Sequence, residues 1–315
     1  MICQSLTPSV AAKPLRPLQP SYHTSHLGDW GALGTVPSMA LIRHLLRSHM
    51  HTNMHTVTSH THHIPVPEGT LFAQVWTHDL AQGAPIVLLH DSLGCVTLWR
   101  DFPQQLARTT GRTVVAYDRL GFGQSSPHPG VLPPSFIADE ATHHLACVRD
   151  YLGIPSFVAL GHSVGGGMAV CAAATHPAEC SALITLAAQS HVEDRTTAGI
   201  RAAQAQFAQP TAMDRLVKYH GIKADWVLHA WTSTWLSPAF AHWSLRAALA
   251  QVQCPTLVIH GDEDEYGSAL HPQTIAQGVN GPSTLEILAG CRHIPHKEQP
   301  KRCLDLIAAH LANCR

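Results

Sequence analysis

From residue 64 onward the chain alternates short apolar runs with longer stretches in which apolar positions return at helical spacing. Residues 64–77 read as two strands around a Pro67-Glu68-Gly69 turn, an antiparallel opening hairpin. Residues 85–90, 113–117, 182–187 and 255–260 are apolar almost throughout, as strands covered on both faces must be. A further strand is expected at 283–288, with helices near 98–107, 137–152 and 299–311. The stretch opening at Phe157 begins as another apolar strand, turns sharply, and continues over 165–174 as a small-residue helix. Strands alternating with helices imply an α/β fold, a mostly parallel, doubly wound sheet of about eight strands with helices on both faces. Ligands of such sheets bind beyond the carboxyl ends of the strands.

Two stretches depart from this pattern. Over 189–253 helical segments follow one another with no buried strand between them, and four tryptophans fall there: Trp226, Trp231, Trp235 and Trp243. A helical insertion between two strands of such a sheet is expected to be a lid over the active edge, its aromatics lining an apolar pocket. Taken singly, each tryptophan reads as packing that joins lid to body. The second stretch is 1–63, with little periodicity, Pro14, Pro17, Pro20 and Pro37, and almost no acid. It reads as a disordered or weakly structured extension, with a short helix near 39–47. Its serines, basic residues and lone Asp29 resemble an organellar transit peptide. An early start codon, with Met50 or Met54 the true beginning, is the preferred explanation. The core is therefore expected to comprise 64–188 and 254–315, with 189–253 inserted.

Composition narrows the class. A chain of 315 residues, 45% hydrophobic and 13% charged, can bury a large core. The net charge of −1 gives no field that would draw nucleic acid or an anionic membrane surface. No apolar run reaches membrane-spanning length. Nine cysteines lie scattered without CxxC pairs, which points to reduced thiols and a cytoplasmic setting, the organellar one being the alternative. His49, His51, His55, His60, His62 and His63 crowd together, yet no cysteine or carboxylate accompanies them. They read as a His-rich tail, and no metal site is expected.

The candidate chemistry sits at the sharp turn. Gly161-His162-Ser163-Val164-Gly165 is a G-x-S-x-G nucleophile elbow. A turn this tight forces its central residue into strained geometry, so the positions two away must be nearly free of side chain. It lifts the Ser163 hydroxyl above the sheet and sets the Val164 N–H at a helix N-terminus, where negative charge is stabilised. By itself the pattern also describes a glycine-rich strand–helix junction whose serine is only a cap. A serine nucleophile needs a base and a carboxylate to orient it, in the order Ser, acid, His for an elbow. Strand 255–260 runs into Gly261-Asp262-Glu263-Asp264-Glu265, where composition cannot choose among the acids. The loop after the last strand carries two imidazoles, His293 and His296.

Six blocks in order carry a resemblance. They are Leu88 to Gly94, Tyr117 to Ser125, Gly161 to Gly166, Cys254 to Gly261, the Gly261-x-x-Asp264 turn, and Gly290-Cys291-Arg292-His293-x-Pro295-His296-x-Glu298. Together, over about 64–312, they resemble an α/β-hydrolase fold serine hydrolase of the esterase, lipase and C–C hydrolase group. The resemblance implies Ser163 as nucleophile, Asp264 as acid and His293 as base. It implies the Val164 and Ser92 N–H groups as oxyanion donors, with Leu93 in place of Ser92 if the loop is shifted. Leu93, His162, Trp231 and Trp235 are the candidate pocket residues; Asp262 and His296 become hydrogen-bonding or surface neighbours. No metal or organic cofactor is implied.

The resemblance implies hydrolysis of a carboxylic ester of a small to medium, largely apolar molecule through an acyl-enzyme. C–C bond hydrolysis or a cofactor-free perhydrolase reaction on the same triad is the alternative. A C–C hydrolase usually adds polar residues for a substrate carboxylate, for which Arg195, Arg201 and Arg215 are the available arginines. Serine at the elbow, where dehalogenases and epoxide hydrolases of this fold carry Asp, favours hydrolysis. A receptor with a degenerate site would lack a triad member, and none is missing. Two departures stand out: Arg292 where Gly often precedes the histidine, and Asp91 where the oxyanion loop usually reads His-Gly. The oligomeric state is left open.

Overall fold

A computed structural model describes residues 56–314. The extension and the short helix expected near 39–47 lie outside the described residues. The chain opens with a hairpin, β1 Val57–Val66 and β2 Gly69–His78, paired in register from Val57 opposite His78 to Val66 opposite Gly69. The core thus begins at Val57 rather than Ile64, and His60, His62 and His63 are strand residues, not tail. β1 is the outer strand of the sheet, with most of its side chains in solvent. An outer strand held by its backbone ladder needs few apolar positions, which is why the apolar pattern missed it.

β3 Ile86–Leu89 leads into α1 Phe102–Thr110, and β4 Val114–Tyr117 into α2 Phe136–Thr142 and α3 His144–Leu152. The single helix expected over 137–152 is parted at His143, whose φ of −107° and ψ of −85° leave the helical well. β5 Phe157–His162 turns into α4 Val164–Thr175, and β6 Cys180–Leu186 precedes the insertion. That insertion holds α5 Asp194–Phe207, α6 Pro210–His220, α7 Ala224–Trp235 and the short α8 Arg246–Leu249. β7 Thr256–Gly261, α9 Leu270–Gly278, β8 Ser283–Leu288, α10 Pro295–Glu298 and α11 Pro300–Asn313 complete the chain. The eight strands run in the order β1-β2-β4-β3-β5-β6-β7-β8, parallel from β4 to β8.

Apolar runs in the central strands follow from two covered faces. Successive residues point to opposite sides. Val87 and Leu89 join Leu145 and Met168 in one cluster, while Ile86 and Leu88 join Leu106 and Ile307 in the other. The insertion packs on the loop after β4 through Phe122, Leu216 and Val227. Among the described residues no helix is long and apolar enough to cross a membrane.

Candidate active site

The elbow is built by close backbone approach. Ser163 sits at φ 55° and ψ −126°, a region disfavoured for any residue with a side chain. A Cβ on Gly161 would lie 2.0 Å from the Gly165 carbonyl oxygen, and one on Gly165 would lie 2.1 Å from that of Leu89. A side chain at Gly161 would force β5 and α4 apart, and one at Gly165 would force α4 away from the end of β3. Gly165→Ala is therefore expected to cost about 3 kcal/mol or more, read as a lower denaturant midpoint with unchanged slope. An unchanged midpoint would show that the junction yields without strain.

Three side chains from three strand ends meet here. The Ser163 Oγ lies 3.1 Å from His293 Nε2, and His293 Nδ1 lies 2.9 Å from both Asp264 oxygens. A carboxylate only accepts, so Nδ1 carries the proton and Nε2 is left to accept from the Ser163 hydroxyl. Asp264 is 1% exposed. Burial opposes its charge, but the hydrogen bond and charge of His293, the His260 ring and the Tyr266 N–H outweigh that, so its carboxyl stays below the usual carboxylate range. The Tyr266 and Gly267 N–H groups donate to Oδ1 at 2.8 and 3.1 Å, which fixes the carboxylate in place. Asp262 faces the surface instead, accepting from the Gly290 N–H.

Glu298 braces the histidine loop. Its two oxygens accept from the Arg292 N–H at 2.7 Å and the Ile294 N–H at 2.9 Å, one on each side of His293. The Arg292 side chain is 62% exposed and stands 3.5 Å from Glu265, so its charge faces outward. From below, the His162 Nε2 donates to the His293 carbonyl at 2.8 Å. His162 is thus not a pocket residue: the last residue of β5 points under the histidine loop, opposite to the serine that follows it. His296 is not a surface residue either; its buried ring packs on Trp99, Phe102 and His162.

The loop after β3 is held as firmly. His90 Nδ1 donates to the Asp91 carbonyl at 2.8 Å, and Nε2 accepts from the Arg119 N–H at 3.1 Å. Burial holds the His90 pKa well below the usual histidine range, in keeping with a ring that gives one hydrogen bond and takes one. A cavity of about 150 Å³ opens beside Ser163. Ser92, Leu93, Trp231, Trp235 and His293 line it, while Val164 opens α4 directly after the serine. The other two tryptophans of the insertion lie away from this cavity: Trp226 stacks on His128 and donates its Nε1–H to the Gly130 carbonyl at 2.7 Å, and Trp243 stacks on Phe240.

Sequence reasoning missed several lining residues, among them Gln189, Thr196, Ile200 and Tyr266. Gln189 Oε1 lies 3.4 Å from the Ser163 Oγ, and the Tyr266 ring 4.8 Å from that of His293. Position was their one signal: Gln189 follows the end of β6, and Tyr266 lies two residues past Asp264. Among the described residues no group of three or more His, Cys, Asp or Glu side chains gathers as metal ligands would.

A family model for the alpha/beta hydrolase fold matches residues 84–225, a span that includes the elbow and the loop after β3. The chain has the α/β-hydrolase fold. This α/β hydrolase is 26% identical over 259 residues to the 2-hydroxymuconate semialdehyde hydrolase of Pseudomonas sp. (strain CF600), covering 75% of this chain and 89% of the relative. It is 34% identical over 115 residues to the (lyso)-N-acylphosphatidylethanolamine lipase of Bos taurus, 35% of this chain and 33% of the lipase. Among solved structures it resembles the 2-hydroxy-6-oxo-6-phenylhexa-2,4-dienoate hydrolase from Rhodococcus sp. strain RHA1, with a TM-score of 0.64, 18% identity, and coverage of 82% of this chain and 100% of that one. At that identity the structural likeness speaks for the fold alone. The α/β hydrolase is a hydrolytic enzyme; bond type and substrate are matters for its own cavity.

Proposed function

We propose that this hydrolase cleaves a carboxylic ester of a small to medium, largely apolar molecule through an acyl-enzyme. The observation that carries the reading is the continuous chain from the Ser163 Oγ through His293 to Asp264, at 3.1 and 2.9 Å. In this reading His293 takes the Ser163 proton as the oxygen attacks the carbonyl carbon, and returns it to the departing alcohol. Asp264 keeps the imidazole in its tautomer and offsets the imidazolium charge. The Val164 and Ser92 N–H groups receive the developing oxyanion, each lowering the barrier by about 3 kcal/mol. Water, deprotonated by the same imidazole, then releases the acid. The insertion over 189–253 acts as the lid, since Thr196, Ile200, Trp231 and Trp235 close the cavity from that side.

C–C bond cleavage on the same three groups draws support from the name of the Pseudomonas relative. The cavity favours the ester. A muconate bears a carboxylate, and among the described lining residues there is no Lys or Arg to receive one. Arg195 Nη1 donates to the Asp264 carbonyl and Arg201 to Thr197, both away from the cavity.

A p-nitrophenyl ester series from acetate to dodecanoate tests the reading. Turnover is expected to peak at short chains and fall by dodecanoate, because the cavity is small and walled by Trp231 and Trp235. No turnover on any ester, with Ser163 still labelled by a fluorophosphonate, sinks the esterase reading and brings C–C hydrolysis forward.

A further inference from the structure

Gln189 stands beside the nucleophile with hydrogen-bonding capacity that attack by the serine leaves unused. It is 4% exposed, lines the cavity, and sets its Oε1 3.4 Å from the Ser163 Oγ. A hydroxyl has one hydrogen, and His293 Nε2 takes it at the shorter distance of 3.1 Å. Oε1 is then left without a donor, and Nε2 makes no hydrogen bond among the described residues. Thr196, on the same wall, is committed: its hydroxyl donates to the Tyr266 carbonyl at 2.7 Å. A buried amide with both ends free costs stability, and such a group calls for a role.

The backbone holds that amide in place under strain. Ala187, just past β6, has a φ of 49°, in the left-handed region that a residue with a Cβ rarely adopts. Its N–H donates to the Ile259 carbonyl at 2.9 Å. A Cβ on Gly166 of α4 would lie 2.4 Å from the Ala188 Cβ, so the chain passes close over the helix. Ser190 is pinned at both ends: its N–H donates to His271 Nδ1 at 3.1 Å, and its carbonyl accepts from the Leu245 N–H at 2.8 Å. Strain held in place by so many neighbours clusters at functional sites.

Sheet order sets the flank from which Gln189 arrives. Ser92 follows β3 and Gln189 follows β6, and the order β3-β5-β6 puts them on opposite sides of the elbow. In the proposed reaction the carbonyl oxygen turns toward Ser92 and Val164. Gln189 therefore faces the other flank of the acyl carbon, the side from which the His293 loop after β8 also arrives.

We infer that Gln189 orients the water that resolves the acyl-enzyme. Once the acyl group occupies Oγ, the serine has no hydrogen to offer, and the incoming water becomes the donor to Oε1. That water gives its other hydrogen to His293 Nε2 as its oxygen bonds to the acyl carbon. The bond from that carbon to Oγ then breaks, and His293 returns the proton to Oγ as the acid leaves. This inference rests on the esterase reading and assigns a residue to its second half.

Gln189→Met, of similar length and without hydrogen-bonding groups, tests it in the full chain with p-nitrophenyl butanoate and stopped flow. Nitrophenol is expected to appear as a burst equal to the enzyme at near the native rate, followed by turnover about a hundredfold slower than native. A butanoyl adduct on Ser163 is expected to accumulate, seen by intact mass after acid quench. Fluorophosphonate labelling, which needs the serine and no water, is expected to stay near the native rate. Burst and labelling that fell together with turnover would mean that the side chain serves the serine or the fold, and would overturn the inference. Unchanged turnover also overturns it. In both cases ester hydrolysis by the native chain leaves the esterase reading standing. A native chain that hydrolyses no ester overturns both.

Discussion

Ser163→Ala is expected to lower kcat for ester hydrolysis by about 10⁶-fold and to abolish fluorophosphonate labelling, with the fold intact. Alanine keeps the Cβ that the elbow already accommodates at φ 55°, so backbone strain is unchanged. What is lost is the Oγ, with its contacts to His293 Nε2 at 3.1 Å and Gln189 Oε1 at 3.4 Å. Because nucleophile and base act as a unit, His293→Ala should cost nearly as much. The double variant should then be hardly worse than either single one. Losses that multiplied instead would mean the two side chains serve separate steps. A Ser163→Ala protein that still hydrolysed p-nitrophenyl butyrate at the native rate would remove the serine from the chemistry.

Stability is expected to fall steeply between pH 6.5 and pH 4, measured as the unfolding free energy in urea at pH 7, 6, 5 and 4. Burial, the largest influence, lowers His162 and His271 to about 4 each, although Asp91 and Glu193 respectively pull them upward. An unfolded histidine titrates near 6.5. Within that window the unfolded chain binds protons that the folded chain refuses, so stability rises with pH and is lost as pH drops. Each of the two contributes about 3 kcal/mol on this count, and burial lowers His90, His260 and His296 as well. His144 works in the opposite sense. Burial lowers it, but the hydrogen bonds and charges of Glu140 and Glu68 raise it on balance, so its contribution is present in acid and fades as pH rises. A flat profile from pH 7 to pH 4 would show that these rings take up protons in the folded state.

Much of the sheet was legible because its evidence is local. Ile86, Val87, Leu88 and Leu89 form an apolar run since one pair packs on α1 and α11 and the other on α2 to α4. The elbow was legible because only glycine fits at 161 and 165, where backbone oxygens stand about 2 Å from any Cβ. β1 was half legible: Ile64 is buried, while His60 and its neighbours face solvent and gave the run the look of a tail. His162 was placed in the pocket by adjacency to Ser163, but alternation along β5 turns it beneath the His293 loop.

The sequence by itself determined the strand-and-helix alternation, the elbow with its serine, and the presence of acids and imidazoles at strand ends, because each depends on residues a few positions apart. The tertiary structure decided which of them meet. It brings the carboxylate of Asp264, and not that of Asp262 two residues earlier, to 2.9 Å from His293. It turns Trp231 and Trp235 to the cavity while Trp226 stacks on His128 and Trp243 on Phe240. Those outcomes rest on contacts between residues far apart in the chain, set by how helices and loops settle on the sheet, and no local pattern encodes such a distance.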